Sequence, residues 1–270
     1  MVNSSVYFIC ELGVNHNGSI DDAQKMIDIA VAYGCNAVKL QHYYLHEVQE
    51  LEDKEEYWTA LKAAQLTPMQ LAKLQDYCEG KIDFICSAFG LQSAQDLINL
   101  QLPILKIPSG KLTNLEFLRF VRDEFKGFIC STGLTTKEEI ELALLELKQG
   151  TELKNVALLH CVSAYPCPID QINLRAMSKL KRLAGKVGVS DHTVGNLVPV
   201  VATALGAQII EKHFTLDKDS PGPDHKISLT PPELMATIQL IRDTEKALGD
   251  GRKKIEEAEK IWLTRKQSQS

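Results

Sequence analysis

The 270-residue sequence predicts an α/β fold, a single parallel barrel of eight β/α units. Three observations predict it. Short apolar runs alternate with longer amphipathic segments along most of the chain. The runs are continuously apolar, as parallel strands buried on both faces are, rather than alternating. Eight such units fill close to the roughly 250 residues that a TIM (β/α)8 barrel commonly occupies. An open, doubly wound sheet has the same alternation and is the competing architecture, because periodicity does not register closure.

The first strand is expected over residues 6–10, VYFIC. The helix after it spans 19–33, where Ala23, Met26, Ile27, Ala30 and Val31 share one face. Asp21 and Asp22 suit the positive end of its dipole, and Gly34 is placed to end it. The second strand covers 37–40. The connection over 42–67 is long, and reads as a lid over the barrel mouth or a helical insertion. A helix over 67–79, strand 84–87, helix 91–100, strand 104–107, helix 114–124 and strand 128–130 follow. Thr136 before Lys137, Glu138 and Glu139 is a helix-start signal for 136–148. Strand 156–160, helix 173–183, strand 187–189, helix 196–205, strand 209–212 and helix 231–248 complete the series. Residues 1–250 are therefore assigned to the barrel, and 251–270 to a charged C-terminal helix or tail without a core of its own.

Composition narrows the function. With 44% hydrophobic and 24% charged residues the chain is neither disordered nor fibrous. Its 30 Lys and Arg against 35 Asp and Glu give a net charge of −5, and no basic stripe is visible, so nucleic acid is not expected as a partner. An anionic ligand would require local concentration of cations. No apolar run approaches the roughly 18 residues of a membrane span. Glu11 interrupts the apolar N-terminal stretch, which lacks a signal peptide's pattern. The seven Cys (Cys10, Cys35, Cys78, Cys86, Cys130, Cys161 and Cys167) form no CxxC pair and sit mostly in apolar runs. They read as small core residues of a reduced, cytoplasmic chain.

In such a barrel the chemistry lies at the C-terminal ends of the strands. Those ends carry Glu11, then Lys39 and Gln41, then Ser87, then Lys106 and Ser109, then Ser131. The sixth ends in His160 and a turn with Ser163 and Tyr165, the seventh in Ser190, Asp191 and His192, the eighth in Glu211, Lys212 and His213. Lys39 and Lys106 with the hydroxyls of Ser87, Ser109, Ser131 and Ser190 suit a phosphate. One Ser-Gly pair is merely a common opening of a tight turn. Five strand ends with the same chemistry, two of them with a Lys in an apolar strand, are more than that. His192 and His213, on neighbouring strands beside Asp191 and Glu211, can hold one divalent metal and leave positions open for water and substrate. His160 reads as a packing or hydrogen-bonding residue. Pro221, Gly222 and Pro223 force a rigid turn that is expected to hold Asp224 and His225 over the mouth as sugar-hydroxyl contacts.

At these residues the sequence resembles the N-acetylneuraminate (sialic acid) synthase family, which includes synthases of related nonulosonic acids and of a spore-coat polysaccharide sugar. The resemblance is carried in order by ELGVNHNG at 11–18, VKLQ at 38–41, KIPSG at 106–110, STG at 131–133, LHC at 159–161 with YP at 165–166, NLRAM at 173–177, SDHT at 190–193, EKHFT at 211–215 and PGPDH at 221–225. It implies a TIM barrel that condenses phosphoenolpyruvate with the open-chain aldehyde of an N-acylated hexose, using Mn²⁺ or Mg²⁺. His192 and His213 are the implied metal ligands. Lys39, Ser87, Lys106, Ser109, Ser131 and Ser190 are the implied phosphoenolpyruvate contacts, and Glu11, Gln41, Tyr165 and Asp224 the implied sugar-side residues. Glu11 either orients the sugar or moves a proton.

The departures from the family pattern concern the sugar. Members usually carry a C-terminal antifreeze-like domain of about sixty residues, a small-domain size, which lends an arginine to the neighbouring subunit's site. The chain has no counterpart before Ser270, and Lys111 stands where an acid is common, Ser87 for a usual Thr, Ser163 for a common Asn. A different acceptor sugar is therefore expected, with Lys111 and Ser163 helping to read it. A homo-oligomer, a dimer formed through the barrel helices or the tail, is also expected. The competing readings are a barrel subunit that needs a separate antifreeze-like partner and a non-catalytic relative that binds phosphoenolpyruvate or a sugar acid.

Overall fold

Strands whose two faces are both apolar need cover on both sides, and a closed barrel ringed by helices supplies it. The computed structural model describes residues 5–48 and 55–263. Its strands are β1 (Tyr7–Gly13), β2 (Ala37–His42), β3 (Asp83–Ala88), β4 (Ile104–Ile107), β5 (Gly127–Ser131), β6 (Val156–Cys161), β7 (Lys186–Asp191) and β8 (Ile209–His213). They run in sequence order around a closed barrel. Closure is made by β8 pairing in parallel with β1, from Tyr7 opposite Ile209 to Glu11 opposite His213. The fold is a TIM barrel, and the open sheet is excluded.

The helices are α1 (Ile20–Ala32), α2 (Glu55–Ala64), α3 (Pro68–Cys78), α4 (Leu91–Asn99), α5 (Leu115–Val121), α6 (Lys137–Leu147), α7 (Met177–Leu180), α8 (Leu197–Ala204) and α9 (Pro231–Leu248). Side chains fix several of their starts. Ser19 accepts from the Asp22 N–H, and Thr136 and Glu139 cap each other reciprocally, as the sequence signal predicts. Among the described residues no helix is long and apolar enough to cross a membrane.

Two core layers result. Even-numbered β1 residues such as Phe8 and Cys10 pack outward with Met26, Ile27, Leu71 and Leu74 of the helices. Inside the barrel, Ile9, Ala37, Ile85, Ile129, Ala157, Leu159 and Ile209 form an apolar floor. All seven cysteines are free and buried.

The structure departs from the sequence expectation in three places. β1, β2 and β7 run two or three residues further, to Gly13, His42 and Asp191, because their last inward positions are polar and do not read as apolar strand. The helix expected over 173–183 shrinks to a 3₁₀ turn at Leu174–Ala176 and the single turn of α7. Asn173 is left-handed (φ 47°), which stops the helix upstream, and only Met177 and Leu180 of α7 are buried. The long connection after β2 contains α2, so it is a helical insertion whose Leu61 and Ala64 form a small cluster with Val14 and Tyr43. Residues 49–54 of that connection, and 264–270 of the expected tail, lie outside the described residues. Glu257–Trp262 of the tail is a 3₁₀ helix without buried residues.

Candidate active site

Period-two alternation builds the site on the apolar floor. Two residues beyond Ile9, Ala37, Ile85, Ile104, Ile129, Leu159 and Ile209, the same strand faces carry Glu11, Lys39, Ser87, Lys106, Ser131, Cys161 and Glu211. All seven are buried. Lys39 Nζ lies 2.8 Å from Glu11 Oε1 and 3.9 Å from Glu211 Oε2, and donates to Ser87 Oγ at 3.1 Å. Lys106 Nζ donates to Ser131 Oγ at 2.8 Å and lies 3.6 Å from Glu211 Oε1. Ser190 Oγ donates to the same Glu211 oxygen at 2.8 Å, and Gln41 Nε2 donates to Glu11 Oε1 at 2.9 Å. Glu11 Oε2 and Glu211 Oε2 are buried without hydrogen-bond partners. Buried acceptors of that kind call for donors, which a bound molecule can bring.

The two carboxyls are driven apart electrostatically. Burial raises Glu11, reinforced by the charge of Glu211 and opposed by Lys39, so it holds a proton more readily than an ordinary Glu. Burial also works against Glu211, but Lys106, Lys39 and the Ser190 hydroxyl overcome it and hold the carboxyl down at about 2. Burial pushes Lys106 down. Lys39 stays above its ordinary value, because Glu11 and Glu211 outweigh its burial.

Above this layer sit the histidines. The rings of His192 and His213 are 5.6 Å apart, and Tyr165 stacks on His192 at 4.1 Å. His192 Nδ1 donates to the Val162 carbonyl at 2.9 Å, which leaves Nε2 as the other ring position. His213 Nδ1 is buried without a hydrogen-bond partner, 3.6 Å from Asp224 Oδ2. Burial pushes His213 down to about 4, so its imidazole is neutral at physiological pH. A neutral, orphaned imidazole nitrogen beside a second imidazole fits a divalent ion. Among the described residues no cluster of three or more His, Cys, Asp and Glu side chains converges as a ligand set, so an ion here would have these two imidazoles as its protein ligands.

One cavity of about 1080 Å³ contains this chemistry. Of the residues expected from the sequence, Glu11, Lys39, Gln41, Ser87, Lys106, Ser109, Ser131, Ser163, Tyr165, Ser190, His192, His213 and Asp224 all line it. Lys111 does not. Its ammonium donates to the Glu47 carbonyl at 3.1 Å, because the 3₁₀ turn at Ser109–Lys111 aims it at the connection after β2. Asp191 and Lys212, which flank the histidines in sequence, face outward by alternation and bond to each other. His225 also turns away from the mouth, to Thr215 Oγ1 at 2.7 Å. His160 faces the helices, bonded to the Ile172 carbonyl at 2.5 Å.

The cavity adds residues to which the sequence assigns no role. Glu211, expected only as a neighbour of the histidines, shares a strand face with His213, and Cys161 with Leu159, so strict alternation places both in the site. Cys161 Sγ accepts from Ser109 Oγ at 3.6 Å and lies 3.8 Å from His192 Nδ1. Tyr57, Ala60 and Leu61 reach the cavity from α2, for which the sequence offers no register.

The profile of the NeuB family matches residues 26–253. The chain belongs to the NeuB family. Relatives include the N,N'-diacetyllegionaminic acid synthase of Campylobacter jejuni, 41% identical over 93% of this chain and 80% of that protein. The N,N'-diacetyllegionaminic acid synthase of Legionella pneumophila is 38% identical over 92% of this chain and 74% of its own length. The crystal structure of the N-acetylneuraminic acid (sialic acid) synthetase of Leptospira borgpetersenii superposes with a TM-score of 0.87 at 32% identity, covering 98% of this chain and 93% of that one. The NeuB profile begins inside α1 and ends just past α9, so it spans seven of the eight strands that hold the site.

Proposed function

We propose that this NeuB-family protein condenses phosphoenolpyruvate with the open-chain aldehyde of an N-acylated sugar, giving a nonulosonic 2-keto acid and phosphate. The observation that carries the reading is the pair of buried ammonium–hydroxyl couples, Lys39 with Ser87 and Lys106 with Ser131, facing His192 and His213 across one cavity. The couples suit the phosphate and carboxylate of phosphoenolpyruvate, and the volume beyond them leaves room for a second substrate.

In this reading C3 of phosphoenolpyruvate bonds to the aldehyde carbon, whose oxygen takes up a proton. Water adds at C2, and the C2–O bond breaks to release phosphate. Glu11, whose burial raises its proton affinity above that of an ordinary Glu, is suited to carry the proton to the new alkoxide. Glu211, ionised throughout the neutral range, is suited to orient the water by accepting its hydrogen bond and to balance the two ammonium groups. Lys39 and Lys106 hold the anion in line while both carboxyls act. A divalent ion, Mn²⁺ or Mg²⁺, when held by His192 and His213, supplies Lewis-acid polarisation of the aldehyde oxygen. Tyr165, Asp224, Gln41 and Ser163 line the outer part and suit the sugar's hydroxyl and acyl groups. The two curated relatives named above make a product with two N-acetyl groups, which supports an acceptor that carries two acetamido groups, since phosphoenolpyruvate has no nitrogen.

The test is phosphate release from phosphoenolpyruvate with Mn²⁺ across a panel of mono- and di-N-acetylated hexoses and their 6-phosphates. Acceptor-dependent release is expected, abolished in His213→Ala with the fold retained. No release with any acceptor would overturn the reading.

A further inference from the structure

Asp191 and Lys212 precede His192 and His213 in the chain, and alternation turns them to the other face, between barrel and helices. We infer that this ion pair is a clamp that sets the spacing of the two imidazoles and is thereby a positioning element for a divalent ion. The inference rests on the metal reading above.

Lys212 Nζ bonds Asp191 Oδ2 at 2.6 Å, with both side chains fully out of solvent. The same ammonium donates to the Thr193 carbonyl, and Asp191 Oδ1 accepts from the Thr193 N–H at 2.8 Å. Both neighbours of His192 are thus tied to the residue before His213. The β7–β8 ladder ends at the pairing of Asp191 with Lys212, so the imidazole-bearing residues lie one step beyond it. There the two backbones diverge. The His192 carbonyl accepts from Cys167 N–H at 3.0 Å, and the His213 carbonyl from Leu229 N–H at 2.8 Å. Among these contacts, the Lys212 ammonium is what joins the two diverging ends to each other.

Stability does not account for the pair. A buried ion pair loses in desolvation much of what it gains, and apolar replacements are often as stable or more so. What such pairs supply best is registry, and here the register is that of the two histidines. Partners behind metal-binding imidazoles commonly tune affinity tenfold to a hundredfold.

Lys212→Met alone leaves the Asp191 charge buried and unpaired, and so threatens folding. The double variant Asp191→Asn with Lys212→Met removes both charges and keeps an acceptor for the Thr193 N–H. Mn²⁺ binding is measured by electron paramagnetic resonance of the free ion, and phosphoenolpyruvate binding is measured by calorimetry without metal. In the folded double variant the Mn²⁺ Kd is expected to rise about tenfold to a hundredfold, while metal-free phosphoenolpyruvate binding stays within about twofold. A purely structural role would weaken both together or neither. Wild-type Mn²⁺ affinity in the folded double variant would overturn the clamp alone. Absence of Mn²⁺ binding in the wild-type protein would overturn the metal reading and the clamp with it.

Discussion

At the scale of single residues the site depends on two carboxyls whose proton affinities are shifted in opposite directions. Glu211 sits 3.6 Å from Lys106 and 3.9 Å from Lys39, and balances both. Glu211→Gln keeps the shape and removes the charge that both ammonium groups share, leaving Lys106 without its carboxylate and Lys39 with Glu11 alone. The KM for phosphoenolpyruvate is expected to fall or hold, while kcat falls roughly a hundredfold through loss of the fixed charge that orients the water. Steady-state kinetics with saturating sugar check this, and an unchanged kcat would remove Glu211 from the chemistry. A second residue governs acid stability. His16 is buried, its Nδ1 accepts from the Gly18 N–H at 3.1 Å, and its Nε2 has no partner. Burial pushes it down to about 4 from an ordinary 6.5. Between those values the unfolded chain binds the proton and the folded chain does not. Stability is therefore full above pH 6.5, falls as pH drops toward 4, and levels below that. The loss attributable to His16 is about 3 kcal/mol. His213, also pushed to about 4, adds a change of the same sign. Urea unfolding at pH 7.5 and 4.5 is expected to show a smaller difference in His16→Asn, which keeps an acceptor but cannot take up the proton.

At the scale of elements, α2 reaches the mouth of the cavity while resting on a small cluster separate from the main core. Tyr57, Ala60 and Leu61 line the cavity, and the Tyr43 hydroxyl holds the Leu61 carbonyl at 2.7 Å. Its seat is Gly18, at φ +80°, where a Cβ would stand 2.1 Å from the Ala63 carbonyl oxygen. Both the conformation and the contact demand glycine there. Gly18→Ala is expected to lift α2, raise the acceptor KM several-fold and leave the phosphoenolpyruvate KM nearly unchanged, because the lysines sit on β2 and β4 beneath. It is also expected to cost more than about 1 kcal/mol of stability. Equal changes in both KM values would place α2 over the whole cavity rather than over the sugar. Sequence periodicity alone left this segment open between lid and insertion. α2 packs on one small cluster of its own, so no continuous stripe marks its register. α7 is the converse case, a segment that reads as a helix but has only two buried anchors and a left-handed residue upstream.

At the scale of the molecule, what was legible follows from burial. The eight strands could be read because a parallel barrel buries both faces, and closure could not, because it lives in the β8–β1 pairing. Most of the site was legible for a related reason. Lys39 and Lys106 interrupt apolar strands, and polar groups two positions past an apolar floor lie in one inward layer. Asp191 and His225 were misplaced because adjacency in sequence was read as adjacency in space, and Lys111 because a 3₁₀ turn redirected it. The same layering predicts how the protein responds to metal removal. The apolar floor and the outer core are complete without the mouth, and the buried polar layer is bonded within itself through Lys39, Ser87, Lys106, Ser131, Ser190 and Glu211. A divalent ion, if held by His192 and His213 as proposed, would thus be an addition to a finished fold, not a part of its core. Chelation is expected to abolish phosphate release and leave far-ultraviolet circular dichroism unchanged. The stability lost should be no more than the binding itself supplied, about 2.7 kcal/mol when the metal had been held at a hundredfold its Kd. Unfolding on chelation would instead show that the two strand ends need the ion to stay together.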